Sequence, residues 1–203
     1  MCGIFGLAVK QNSEYSRNTI STILEKIALI SERRGKDSSG ICFRNPRDKK
    51  MEVIKGSIPI FNLLKSEKYL RDLNSSLSQY EEGNSFTAIG HSRLVTNGTQ
   101  TQHNNNQPVV KGGIVSIHNG IIVNTDELWL RHEEISRDYE IDTEIFNSLV
   151  EYNDISGKSV IDTLTKSFDN IEGTISTALL FDYRDELILA TNNGSLYSLS
   201  DNN

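Results

Sequence analysis

Strand-like runs in this chain come in neighbouring groups joined by turns too short for a crossover. Residues 38–44 and 51–55 are apolar runs linked by the polar turn Asn45-Pro46-Arg47-Asp48, and runs at 186–191 and 195–199 flank Asn192-Asn193-Gly194. Parallel neighbours need a connection of a dozen or more residues, so short turns of this kind predict antiparallel pairing. Further strands are predicted at 3–10, at 86–91, at 113–123 with an interruption at Asn119-Gly120, and at 174–182. Helices alternate with them in blocks. Ser16 precedes a helical face of Ile20, Ile23, Leu24, Ile27 and Ile30 that stops at Gly35, whose freedom in the left-handed region suits a helix end. Residues 57–80, 125–134, 142–153 and 158–168 also read as helical. The polar stretch 96–107 lies between apolar strands and reads as a surface loop within one domain. This order gives an α+β fold, and two packed sheets flanked by helices would accommodate it.

A chain of 203 residues with 36% hydrophobic content is long enough for one domain with a real core. The net charge is −6, and Arg33-Arg34 and Lys49-Lys50 are isolated pairs, so nothing argues for nucleic acid. No apolar run approaches membrane-spanning length, and no charged-then-apolar leader opens the chain. With two cysteines, Cys2 and Cys42, the chain is no disulfide scaffold, and a cytoplasmic protein is expected. Cys42, in the run Gly40-Ile41-Cys42-Phe43, reads as a small core residue. The four histidines show no metal-ligand spacing, so no metal is expected.

Cys2 carries the chemical interest. Removing Met1 from Met1-Cys2-Gly3-Ile4-Phe5-Gly6 leaves a residue with thiol and α-amine together. The two groups titrate at nearly matched values, ~8.5 and ~7.7–8.0. The amine can therefore take the thiol's proton at little cost. On these residues alone, an ordinary buried thiol is the better reading.

Four other segments each have a structural and a chemical reading. Arg34-Gly35-Lys36-Asp37-Ser38-Ser39-Gly40 suits a helix stop and turn. In Gly90-His91-Ser92-Arg93-Leu94-Val95-Thr96-Asn97-Gly98, Arg93 is either an edge ion pair or a carboxylate grip. In Ile117-His118-Asn119-Gly120-Ile121-Ile122, Asn119-Gly120 is either a hairpin turn or a pair of oxyanion donors, the Asn119 amide and the Gly120 N–H. Asp142-Thr143-Glu144 is either a helix N-cap with acidic first-turn residues or a carboxylate for an ammonium.

Together, in this order, the five segments resemble the class II glutamine amidotransferases, a family of N-terminal-nucleophile hydrolases. The resemblance runs from Cys2 to Asn192-Asn193-Gly194-Ser195-Leu196. The His-Asn-Gly and Arg-Gly-x-Asp-Ser forms look most like the glutaminase domain of glucosamine-6-phosphate synthase. Asn106-Gln107-Pro108 is closer to the amidophosphoribosyltransferase and asparagine synthetase branches. The resemblance implies a four-layer αββα sandwich of two mainly antiparallel sheets, with residues 1–203 as one domain and no cofactor. It implies hydrolysis of L-glutamine to glutamate and ammonia through a γ-glutamyl thioester on Cys2, with the oxyanion held by Asn119 and Gly120. Arg93, with Thr96 alongside, would bind the α-carboxylate, and Asp142, with Gly120 contributing, the α-ammonium. A separate synthase subunit or domain would accept the ammonia.

The chain departs from the sugar-related branch at Leu94, where that branch carries Trp, and at Asn97, where it carries His. It also stops soon after Leu196, where family domains usually continue, so a separate synthase rather than an attached one is expected. Two other functions stay open at this point: a γ-glutamyl amide hydrolase acting alone, and a degenerate binding or regulatory subunit.

Overall fold

The computed structural model describes residues 2–95, 99–154 and 159–201. Met1, Thr96 and Asn97 lie outside these residues. The expected order of elements holds in outline. β1 (Gly3–Val9) is followed by α1 (Arg17–Ser31), a 3-10 turn (Glu32–Arg34), and the hairpin of β2 (Ser38–Arg44) and β3 (Met51–Gly56). Ser16 caps α1 by accepting a hydrogen bond from the Thr19 N–H, which satisfies one of the donors that a helix start leaves open.

The single helix expected over 57–80 is two: α2 (Ile60–Leu63) and α3 (Glu67–Glu81). Ser66 causes the break. Its backbone is extended, and its hydroxyl caps α3 through the Tyr69 N–H. β4 (Phe86–Arg93) then runs between β1 and β2, giving an antiparallel sheet of order β1-β4-β2-β3.

The second sheet is built from β5 (Val109–Lys111), β6 (Ile114–Ile122), β7 (Gly173–Phe181) and β8 (Leu187–Thr191), antiparallel in that order. β5 is three residues long and is not legible as a strand in the sequence. β6 does not break at Asn119-Gly120. Both residues stay paired with β7, Asn119 opposite Ser176 and Gly120 opposite Ile175, which excludes the hairpin turn. Between β6 and β7 come α4 (Thr125–Arg131), α5 (Asp142–Asn153) and α6 (Val160–Asp169). The strand expected over 195–199 is absent. That stretch has no ladder partner, and Tyr197 and Leu199 are exposed.

The apolar side chains sort into three layers. Ile20, Leu24, Leu73 and Leu77 pack α1 and α3 on one face of the first sheet, around Ile41, Phe43 and Phe86. Phe146, Leu149 and Leu164 pack α5 and α6 on one face of the second, around Ile114, Ile175 and Leu179. Between the sheets lie Cys42, Ile89, Val115, Ile117, Ala178 and Leu180. Helix, sheet, sheet and helix thus stack as the expected αββα sandwich, with Cys42 in its central layer. Among the described residues, no helix is long and apolar enough to cross a membrane.

Candidate active site

At one end of the central layer the dry core gives way to polar side chains, because the period of two that buries Ile89 and Ile117 also sends His91, Arg93 and Asn119 inward. The same alternation along β1 places Cys2, one residue outside the β1–β4 pairing that begins at Gly3 opposite Ser92, on this inner face.

Cys2 and Asn119 are 117 positions apart and touch: the Cys2 nitrogen donates to Asn119 Oδ1 at 3.1 Å. That bond commits the oxygen of the carboxamide and leaves its Nδ2 donors for a ligand. The thiol donates to the Leu94 carbonyl at 3.4 Å. Burial pushes the Cys2 thiol pKa up. Hydrogen bonding to the Leu94 backbone and the charge of Arg93 oppose the rise without cancelling it, and Asp142 adds to it.

Arg93 is buried at the end of β4. Its Nη1 donates to the Asn105 carbonyl at 2.7 Å and reaches Asn106 Oδ1 at 3.5 Å. Burial pulls its pKa down, opposed by Cys2, Asp142 and Asp37. An arginine keeps its charge through such a shift. Arg93 and Asp142 are thus both close enough to Cys2 to act on its charge.

The Arg34–Ser38 segment is the brace for this corner. Gly35 is extended, with φ −174°, and does not adopt the left-handed conformation expected of a helix stop. Its glycine is required by space: a Cβ there would lie 2.2 Å from the Arg93 carbonyl carbon and 2.3 Å from the Leu94 nitrogen. Asp37 ties the same backbone twice, donating its N–H to the Arg93 carbonyl at 3.0 Å and accepting from the Val95 N–H at 2.8 Å.

β6 supplies the other wall. In an antiparallel strand, the N–H and C=O of alternate residues point to the same edge. Residues 118, 120 and 122 share the edge toward β5, which ends at Val109 opposite Ser116. Past that end, side chains take over. Gln107 pairs with both backbone groups of His118, its Oε1 accepting at 2.5 Å and its Nε2 donating at 3.1 Å. Asp142 Oδ2 accepts from the Ile122 N–H at 3.0 Å. The Gly120 N–H falls between these two plugs. Gly120 has φ +154°, and a Cβ would sit 1.8 Å from the Thr174 carbonyl oxygen. No other residue fits this place.

Asp142 is therefore not the helix cap that its position suggests. Ile141 occupies that place, and Asp142 opens α5 with its carboxylate turned to β6. Thr143 bonds inward, its Oγ1 lying 3.2 Å from His118 Nδ1 and 3.4 Å from Gln107 Nε2. Glu144 is fully buried and accepts from the Asp138 and Tyr139 N–H groups, each at 2.7 Å, and from Lys111 Nζ at 2.9 Å.

The structure thus brings together Cys2, Arg93, Asn119, Gly120 and Asp142. Thr96 lies outside the described residues. Gln107 and Thr143 lie in family-like segments of the sequence that gave neither a role in the site, and nothing in the sequence pointed to Asn105. The expectation of a surface loop over 96–107 fails at its end, where Asn105, Asn106 and Gln107 are buried. Composition does not distinguish a solvated polar loop from one whose polar groups are satisfied internally.

A layered αββα sandwich with a cysteine at the open end of its inner layer has the architecture of the N-terminal-nucleophile hydrolases. Residues 91–202 match the family model described as a glutamine amidotransferase domain. The glutamine–fructose-6-phosphate aminotransferase (isomerizing) of Caldanaerobacter subterraneus subsp. tengcongensis is 28% identical over 193 residues, covering 94% of this chain and 28% of that protein. The protein of the same description from Streptococcus mutans serotype c is 30% identical over 199 residues, covering 96% and 29%. Among solved structures, glutamine phosphoribosylpyrophosphate amidotransferase from B. subtilis, in complex with ADP and GMP, superposes with a TM-score of 0.63 at 23% identity, over 94% of this chain and 37% of that one. The allosteric regulatory enzyme of purine biosynthesis gives a TM-score of 0.65 at 21% identity, over 93% and 37%. Those two likenesses carry the fold. The chain belongs to the glutamine amidotransferase domain family, in its class II, N-terminal-nucleophile form. It spans about three-tenths of the length of the curated relatives it matches.

Proposed function

We propose that this chain works as one domain that hydrolyses the side-chain amide of L-glutamine and hands the ammonia to a separate synthase subunit or domain. The observation that carries the reading is the contact between Cys2 and Asn119, which sets nucleophile and oxyanion donor side by side.

With Met1 removed, the Cys2 nitrogen is a free α-amine on the residue that bears the thiol. The thiol proton passes to this amine as sulfur bonds to the amide carbon. The carbonyl oxygen becomes an oxyanion held by Asn119 Nδ2 and the Gly120 N–H. The amine then gives its proton to the leaving nitrogen, the C–N bond breaks, and ammonia departs. Water adds to the γ-glutamyl thioester through the same base and the same donors. The C–S bond breaks, and glutamate leaves with the thiol restored.

In this reading Arg93 takes the substrate α-carboxylate with Thr96 alongside, and Asp142 takes the α-ammonium with Gly120 contributing. Opposed charges near the thiol would select an amino acid over a simple amide. Both cysteines are unpaired, which suits operation in the cytoplasm.

Protein whose intact mass shows Met1 to be absent is expected to release glutamate from glutamine, and Cys2→Ala to release none. A folded, Met1-free preparation that releases no glutamate, alone or with an ammonia-accepting partner, would overturn the reading.

A further inference from the structure

The register of β5 against β6, continued two residues past Val109 and Ser116, puts Gln107 opposite His118. A strand neighbour would meet His118 with backbone. Here the Gln107 side chain does so, accepting from the His118 N–H and donating to its carbonyl. A carboxamide carries the same donor and acceptor as a peptide group, so it extends the ladder by one rung. The main chain beside it is then free to turn toward Arg93, which the Asn105 carbonyl holds. His91 adds a second donor to the same oxygen, its Nε2 lying 3.1 Å from the His118 carbonyl. This bond crosses from the first sheet to the second. Gln107 and His91 are buried, at 4% and 0% exposure, so neither bond competes with water.

We propose that Gln107, backed by His91, is a positioning residue for the oxyanion site: its side chain pins the backbone of His118 and thereby fixes where Asn119 and the Gly120 N–H stand relative to Cys2. The inference rests on the glutaminase reading. Its physical basis is the open edge of β6. Without Gln107, the segment from His118 to Gly120 keeps β7 on one side and has no ladder on the other. A donor at Gly120 displaced by a fraction of an ångström loses its aim at an oxyanion that exists only during the reaction. Of the grips on the substrate's charged ends, only the Gly120 contribution lies on this segment, and the two charged groups sit on other elements. Arg93 is braced by Asp37 and Asn105, and Asp142 by α5 and the Ile122 N–H.

Gln107→Glu tests this with little change of shape. It puts an acceptor against the His118 carbonyl where a donor stood. The expected result is a fall in kcat of about 10²-fold, with KM for glutamine within about twofold, because a transition-state contact is lost and ground-state binding is kept. In Gln107→Leu, which also removes the acceptor of the His118 N–H, that amide should exchange with solvent faster, with the amides of β1 and β4 unchanged. His91→Leu, which removes the second donor and adds no charge, should lower kcat about 10-fold in the same pattern. A kcat within twofold of wild type in Gln107→Glu would overturn the proposal, as would a rise in KM with kcat held. The exchange measurement needs no activity. Unchanged His118 exchange in Gln107→Leu sinks the clamp even if the wild type hydrolyses glutamine. Absent wild-type hydrolysis, with His118 exchange faster in Gln107→Leu, sinks the glutaminase reading and the catalytic role with it, and leaves the clamp as structure.

Discussion

Replacing Gly35 with alanine tests whether the Arg34–Ser38 brace sets the geometry around Cys2. Gly35 is extended, so the substitution introduces no backbone strain. Space is the obstacle. The new methyl would lie 2.2 Å from the Arg93 carbonyl carbon, 2.3 Å from the Leu94 nitrogen and 2.5 Å from the Arg93 oxygen. Non-bonded heavy atoms rest at ~3.5–4.0 Å, so the two backbones must part by about 1.3 Å. All three obstructing atoms belong to the main chain, and no side chain can rotate away. The bonds from Asp37 to Arg93 and Val95 resist the movement and weaken as it occurs. Overpacking of this kind costs ~1–3 kcal/mol, which lowers Tm by ~2–4 °C per kcal/mol at this size. The effect on rate is larger. Arg93 and the Leu94 carbonyl that faces the thiol move together, and a misplacement of about 1 Å costs ~10² in rate. Glutamate release assayed at several glutamine concentrations, beside a thermal melt, is expected to show kcat/KM down ~10²-fold in a protein that still folds. A folded Gly35→Ala protein with kcat/KM within twofold of wild type would refute the brace.

Other consequences concern charge and burial. Burial holds the fully enclosed His91 neutral, with its pKa lowered to about 3. The unfolded chain takes up that proton first as pH falls through ~6.5, so this group's share of stability, present above that value, is lost toward pH 3. Urea unfolding should show about 2 kcal/mol less stability at pH 5 than at pH 7 from His91, a difference that His91→Gln removes. Glu144→Ala should cost about 3 kcal/mol by the same method, because it strands two backbone N–H groups and removes one of the two carboxylates on Lys111; a cost under about 1 kcal/mol would contradict the buried cluster. With its pKa raised by burial, the Cys2 thiol in protein retaining Met1 should alkylate more slowly at pH 8 than a free cysteine, and faster as pH rises; peptide mapping of iodoacetamide adducts reads both rates. Arg93→Lys should raise KM for glutamine at least 10-fold, since a point charge does not replace a planar fork at a carboxylate; steady-state kinetics decides it.

The sequence carries the fold wherever local pattern and tertiary role agree. Ser16 caps a helix whose apolar face is regular, and the β2–β3 hairpin sets two apolar runs around a polar turn, so both are readable. Ser66 is different. It interrupts a helical pattern with a residue that also occurs inside helices, and only its extended backbone reveals the cap. The stretch 195–199 has strand-like residues but no partner, and a strand without a ladder does not form. In the candidate site, Cys2, Arg93, Asn119, Gly120 and Asp142 are legible only together, as segments in family order, because each alone also has a structural reading. Gln107 and Thr143 are not, because their role is to bond other protein groups. Nothing in Asn105-Asn106-Gln107 indicates that these amides face inward. Gly35 was legible as special for the wrong reason: a turn was expected, and close approach to Arg93 is what requires it.

The measurement that bears most directly on this account is the intact mass of Met1-free protein quenched in acid during turnover with glutamine, followed by peptide mapping. The account predicts a population heavier by one glutamyl group, attached at Cys2, that disappears with hydroxylamine and is absent in Cys2→Ala. Steady release of glutamate with the adduct on another residue, or undiminished release by Cys2→Ala, would contradict it.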